Sequence, residues 1–248
     1  TKADEVDAAT LAGEKAVAKE ELKAAAEDAK KAIDANDNLT PEEKAAAKDA
    51  VDAEVAKAND AIDAATKADE VETATLAGEK AVAKEELKAA AEDAKKAIDA
   101  NDSLTDAEKQ AAKDAVDAEV AKAEEAIDAA TKADEVETAT LVGEKAVAKE
   151  ELKAAAEDAK AAIDANPNLT PEEKAAAKAE IDKAVEEAII SINGAGTHHA
   201  LGEIKLPLSA LIKPVVTVTP VLDPNNLTEE EIARIKALLE ENNTFPEG

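Results

Sequence analysis

One long stretch occurs three times and constrains the chain more than anything else in it. It runs over 11–36 as LAGEKAVAKEELKAAAEDAKKAIDAN, returns unchanged at 76–101, and returns at 141–166 with two changes, Val142 and Ala161. Thr1, Thr66 and Thr131 each open the string TKADEV, so the pattern restarts at a constant interval. Self-similarity at a fixed period implies an array of supersecondary units, each completing its neighbour's core. The first two periods differ only at polar, small or turn positions, such as Asn38/Ser103, Pro41/Asp106 and Ala45/Gln110. No large apolar residue changes between them.

The repeated stretch carries two apolar faces. At about 100° per residue, Val71, Ala74, Gly78 and Val82 fall on one side of the second copy, and Leu87, Ala90, Ala94 and Ile98 fall on the other. No Pro, Asn or turn pair separates them. A helix whose buried side swaps halfway needs a different partner for each half. The economical reading is one long helix that ends one bundle and begins the next. A break near Lys84, giving two shorter helices, is the alternative.

The remaining punctuation sets three helices per unit. Leu22, Ala26, Ala29 and Ile33 make one narrow stripe, and Asn36, Asn101 and Asn166 stand where a left-handed residue would end the helix. Thr40-Pro41-Glu42-Glu43 combines an N-cap, a proline at the first helical position and a capping box. Thr170-Pro171-Glu172-Glu173 repeats it, and Thr105-Asp106-Ala107-Glu108 keeps the box without the proline. Val51, Val55, Ala58 and Ile62 form the second stripe, after which Thr66 is expected to cap the third helix with Asp69 three residues on. Large apolar residues are sparse, so one unit alone is marginal and coupling to its neighbours stabilises it.

The expected fold is all-α: tandem three-helix-bundle repeats in a spectrin-like elongated rod, each unit adding about 30 Å from helices of ~20 residues. The boundaries follow. Residues 1–16 read as the last helix of a truncated preceding unit, and 17–81, 82–146 and 147–213 as repeats, the last with a divergent capping helix. Residues 214–227 read as an extended linker and 228–248 as a short helix in a truncated or docked module. In the third unit Leu201 replaces Val136 and Ile204 replaces Ala139, and Leu206, Leu208, Leu211 and Ile212 follow, with Pro207 inside the helix and Pro214 ending it. VVTVTPV at 215–221 is β-branched and proline-interrupted. Thr228 with Glu231 caps a helix over 229–241, whose Ile232, Ile235 and Leu239 share a face.

Charge removes several functional classes. Thirty basic residues against 58 acidic ones leave a net charge of −28, spread along the chain. Nucleic acid is not an expected partner, since phosphate binding needs a basic patch, and anionic membrane surfaces are disfavoured for the same reason. No window approaches the ~18 apolar residues of a membrane span. Cys, Trp, Tyr and Met are absent, which excludes disulfides and suits a protein exposed to oxidants. Any secretion signal is expected to lie outside this chain.

The Ala-rich helix, then AIDANPNLTPEEKAAAKAEIDKAVEEA at 162–188, then T-x-A-D-E-V and a glycine-containing helix, resembles the tandem helical repeats of large staphylococcal and streptococcal surface proteins of the extracellular-matrix-binding type. Their repeat is a domain of unknown function. The resemblance covers about residues 1–205, and N-L-T-x-x-E-K at 38–44, with near-matches at 103–109 and 168–174, is its most specific part. The segment from Asp223 resembles the spacer modules that follow such arrays. The resemblance implies export, wall anchoring at the bacterial cell surface, and a role in adhesion or biofilm. Leu206-Pro207-Leu208-Ser209-Ala210 is not followed by a membrane span and basic tail, so anchoring rests on the resemblance alone.

No catalytic, cofactor or metal constellation stands out. His198 and His199 are adjacent, point apart at a helix start and lack any Cys, so they read as loop or cap residues. Asp34, Asn36, Asp37 and Asn38 resemble a calcium loop in part, but Leu39 stands where glycine is required and Ala45 where the bidentate Glu is required. The acidic residues read mostly as a solvated face with Lys partners. Ser191 and Ser209 have no base nearby in sequence. The expectation is a non-enzymatic, monomeric stalk that projects a distal binding domain. The alternative is a multivalent adhesive module whose helix faces bind a host extracellular-matrix or plasma protein.

Overall fold

The computed structural model of the chain describes residues 2–198, 200–202, 204, 228, 229, 232, 233 and 235. The described residues hold six helices and no strand: α1 (Lys2–Asp34), α2 (Pro41–Ala64), α3 (Ala68–Asp99), α4 (Asp106–Ala129), α5 (Ala133–Ala165) and α6 (Pro171–Gly194). Helical backbone resumes at His198 and includes 200–202 and 204. The long helices are unbroken through Lys84 and Lys149, as their continuous helix-forming sequence favours.

The long helices α3 and α5 each serve two bundles. α3 packs on α1 and α2, and also on α4 and α5; α5 then packs on α6. Val71 and Val82 join the core built around Leu22, Ile33, Val51 and Ile62, whereas Leu87, Ala94 and Ile98 join the core of Val116, Ile127, Val136 and Val147. The third core gathers Leu152, Ile163, Ile181, Ile192 and Leu201. The change of buried side halfway along the helix is the two-faced pattern made solid.

Capping follows the sequence at the short helices. Thr40, Thr105 and Thr170 are N-caps in complete capping boxes with Glu43, Glu108 and Glu173. Two other expectations need correction. The N-cap of α3 is Lys67, without a side-chain bond; Thr66 stands one residue earlier and donates its amide (2.6 Å) and hydroxyl (2.9 Å) to the Glu70 carboxylate. Nor does a left-handed residue end the long helices: no described non-glycine residue has positive φ, and Asn36 is buried just beyond the end of α1. Lysines from neighbouring helices close those ends instead. Lys44, Lys109 and Lys174 donate to the carbonyls of Asp34, Asp99 and Asp164 at 2.8, 3.0 and 2.8 Å. Lys15, Lys80 and Lys145 donate to the carbonyls of Asp63, Asp128 and Asn193. A cation on an orphan terminal carbonyl satisfies it and opposes the negative end of the helix dipole.

The pitch of the array is shorter than the sequence suggested. A Cβ on Gly78 would lie 3.0 Å from a Leu22 methyl, and one on Gly143 would lie 3.1 Å from the corresponding methyl of Leu87. Gly143 repeats Gly78 one period on, yet its partner stands nine residues beyond Gly78 on α3. Successive units are therefore advanced by about nine residues of helix, roughly 13 Å, not ~30 Å. Adjacent units overlap side by side because the next long helix also binds the loop of the unit before it. Asn38 donates its backbone amide (2.7 Å) and side-chain amide (3.2 Å) to Asp93, and the Ser103 amide donates to Asp158. Gly202 comes against Ala35, so the helix opened by His198 returns to the end of α1. That helix start thus stands against the end of α1 as well as beside α3 and α5.

Leu201 is buried in the third core and Ile204 packs beside it, as their register predicts. The apolar run from Leu206, the linker 214–227 and most of 228–248 lie outside the described residues. Thr228 precedes helical backbone at Glu229, Ile232, Ala233 and Ile235, with the Ile232 amide 3.0 Å from the Thr228 carbonyl. Among the described residues no helix is long and apolar enough to cross a membrane.

Candidate functional site

Among the described residues, ionisable groups converge in the interior where the second unit hands on to the third. The register shows how they come together. Each long helix carries a Glu just after the close-approach glycine (Glu14, Glu79, Glu144) and another seven residues on (Glu21, Glu86, Glu151). Side-by-side packing with the nine-residue advance brings Glu79 of one helix toward Glu21 of the one before, and Glu144 toward Glu86. The third position of the junction is Ala133 in the earlier case. In the later case it is His198.

Local sequence places that histidine. Thr197 replaces the Lys67 and Lys132 of the earlier units and its hydroxyl accepts from the Ala200 amide at 3.2 Å, an N-cap that the other units lack. His198 is then the first helical residue and leans into the groove between α3 and α5. Its Nδ1 lies 2.6 Å from Glu144 Oε2 and 3.1 Å from Glu86 Oε1. Both carboxylates are buried, Glu86 at 7% exposure and Glu144 at 6%. The three ligand-type atoms all fall within 4.8 Å of one another and could hold a metal ion. A cleft of about 870 Å³ opens beside them, with Asp28 of α1 and Glu137 and Thr140 of α5 also on its wall.

The electrostatics follow from burial. Burial pushes the Glu86 carboxyl up to about 8, Glu144's charge adds to this, and His198 opposes it. Burial works to lower the His198 pKa, but the hydrogen bond and charge of Glu144, then the charges of Glu86 and Glu137, outweigh it and hold the imidazolium up to about 9. The Glu79 carboxyl is also raised, by burial first and then by Glu21.

The adjacent histidines predict a loop or cap role; the structure sets His198 in a buried charge cluster, while His199 lies outside the described residues. Ser191 bonds only its own helix, to the Glu187 carbonyl at 3.1 Å, and Ser209 lies outside the described residues. Asn36 and Asn38 serve the interior and the interunit bond already described. Four carboxylates treated as solvated, Glu86, Asp93, Glu144 and Asp158, are buried. The available signal for Glu86 and Glu144 was their position beside Leu87 and Gly143, through which neighbouring helices touch; Asp93 and Asp158 carry no such mark.

Residues 14–82, 79–146 and 144–219 each match the Domain of Unknown Function family DUF1542. The chain belongs to that family. It holds three DUF1542 copies in tandem, a domain known from Gram-positive surface proteins. The matches overlap at 79–82 and 144–146, where α3 and α5 pass from one bundle to the next. No curated protein and no solved structure matches the chain.

Proposed function

We propose that this DUF1542 array is a non-catalytic spacer in a Gram-positive cell-surface, wall-anchored adhesin, holding a distal binding domain away from the cell. The observation that carries the reading is how the repeat uses its apolar surface. Val71 and Val136 are 3% and 4% exposed and Val82 and Val147 are 2% and 0%, whereas the same residues of the first copy, Val6 and Val17, are 62% and 58% exposed. A unit's apolar face is used up on the hairpin of the unit before it, which suits indefinite concatenation. Outward faces are left with ion pairs such as Lys19–Asp63, Lys48–Asp34 and Lys113–Asp99. Such a surface lacks the Trp and Tyr anchors of binding hot spots.

Surface plasmon resonance against a panel of extracellular-matrix and plasma proteins, with chains of two, three and six repeats, tests this. A spacer gives no saturable binding at any length. Affinity that climbs with repeat number would sink the reading and make the helix faces themselves adhesive.

A further inference from the structure

We propose that Glu86, Glu144 and His198 form a binding site for one divalent first-row transition-metal ion, a staple joining α3, α5 and the helix opened by His198. The cluster is short of hydrogen-bond donors. His198 Nδ1 carries a single proton, and at 2.6 Å it is committed to Glu144 Oε2. Glu86 Oε1 faces the same nitrogen at 3.1 Å, is on a side chain more than nine-tenths buried, and receives no hydrogen bond. An unmet buried carboxylate oxygen is destabilising. A cation in place of the His198 proton, and of the one that burial keeps on Glu86, meets both oxygens and the nitrogen together.

The donor set and spacing suit such an ion. One imidazole nitrogen and two carboxylate oxygens are ligands for zinc and its neighbours, at about 2.0–2.2 Å each. Seating an ion among them requires the Glu144–His198 contact to open by under ~1 Å. The three ligands come from three elements, α3, α5 and the helix opened by His198, and the adjoining cleft leaves room for a water in the fourth position. The earlier junction is an internal control. It has the paired carboxylates Glu21 and Glu79, but Ala133 in place of the histidine.

The probe is Zn²⁺ alone, titrated into the full chain by calorimetry with millimolar Mg²⁺ present to occupy surface carboxylates, alongside a thermal melt. The expected result is one Zn²⁺ per chain and a higher Tm. His198→Ala, which installs the residue that the other units tolerate and leaves His199 in place, should weaken binding by at least about tenfold and abolish the Tm shift. Glu86→Gln, which keeps the shape of the site, should do the same. Ala133→His should raise the stoichiometry from one to two by completing the set with Glu21 and Glu79. Equal binding by wild type and His198→Ala, or no single-site binding by the wild type, overturns the proposal. A stoichiometry that stays at one in Ala133→His overturns the junction geometry as its basis.

Discussion

Gly78 and Gly13 have the same neighbours in sequence and opposite surroundings in space. A Cβ on Gly78 would lie 2.5 Å from the Ala58 Cβ, which cannot swing aside, while one on Gly13 would meet nothing within 4 Å. Gly78→Ala should therefore destabilise the chain by about 1–3 kcal/mol through overpacking. Gly13→Ala should leave stability unchanged or raise it by up to ~1 kcal/mol, because alanine is the better helix former. Denaturant melts of the two variants read the difference directly, and equal effects would mean that the helices do not approach as described. Glu79 offers a pH-dependent counterpart. Its folded pKa lies above the ordinary 4.5, so its contribution to stability is full below that value and is lost as pH rises through the raised pKa. Glu79→Gln should raise Tm at neutral pH and lose that advantage below about pH 4.5. The glycine's tight fit was half legible: its place on an apolar stripe was clear, but whether a Cβ fits depends on Ala58, which only the fold brings there.

At the scale of the element, helix starts were readable and helix ends were not. A capping box is local, four consecutive residues that satisfy one another, so Thr40-Pro41-Glu42-Glu43 announced α2 without any tertiary knowledge. The lysines that close the C-termini come from the next or the preceding helix, as Lys44 does for Asp34 and Lys15 for Asp63, and no local pattern marks them. The N-L-T-x-x-E-K signature becomes intelligible on this account: a buried Leu39, a capping Thr40, a box-completing Glu43 and the terminating Lys44. Thr40→Ala should cost about 1 kcal/mol, and hydrogen exchange should show the loss concentrated in the first turn of α2. The same element predicts acid sensitivity. Glu43 is held down to about 2, first by Lys96 and then by Thr40. Its folded pKa is below its ordinary value, so its contribution is full above pH 4.5 and is lost as pH falls toward 2. Glu43→Gln should flatten that part of the acid melting curve. In the third copy Ala161 stands where Lys96 would, so Glu108 lacks that ion-pair partner from the next unit; restoring it with Ala161→Lys, at a partly exposed site, should add no more than ~1 kcal/mol.

At the scale of the whole molecule, the all-helical tandem architecture was legible because a repeat reports its own boundaries, but the pitch was not. Pitch is set by which residues of adjacent long helices stand level, and that depends on pairs one unit apart: Leu22 with Gly78, Asn38 with Asp93. The two stackings differ in a measurable way. End-to-end units would lengthen the particle by about 30 Å each, whereas the observed overlap gives roughly 13 Å each. Small-angle scattering on chains of two, three and six repeats should show the maximum dimension growing at the smaller rate. Stability should rise with repeat number over the same series, since every added unit buries the counterparts of Val6 and Val17 that the first copy leaves open. Growth at the larger, end-to-end rate would mean that Asp93 and Asp158 do not hold the preceding loops in solution. Replacing both with Asn separates the causes. If these bonds set the overlap, the variant lengthens toward the end-to-end value; if the glycine–leucine contacts set it, the spacing per unit stays at the smaller value.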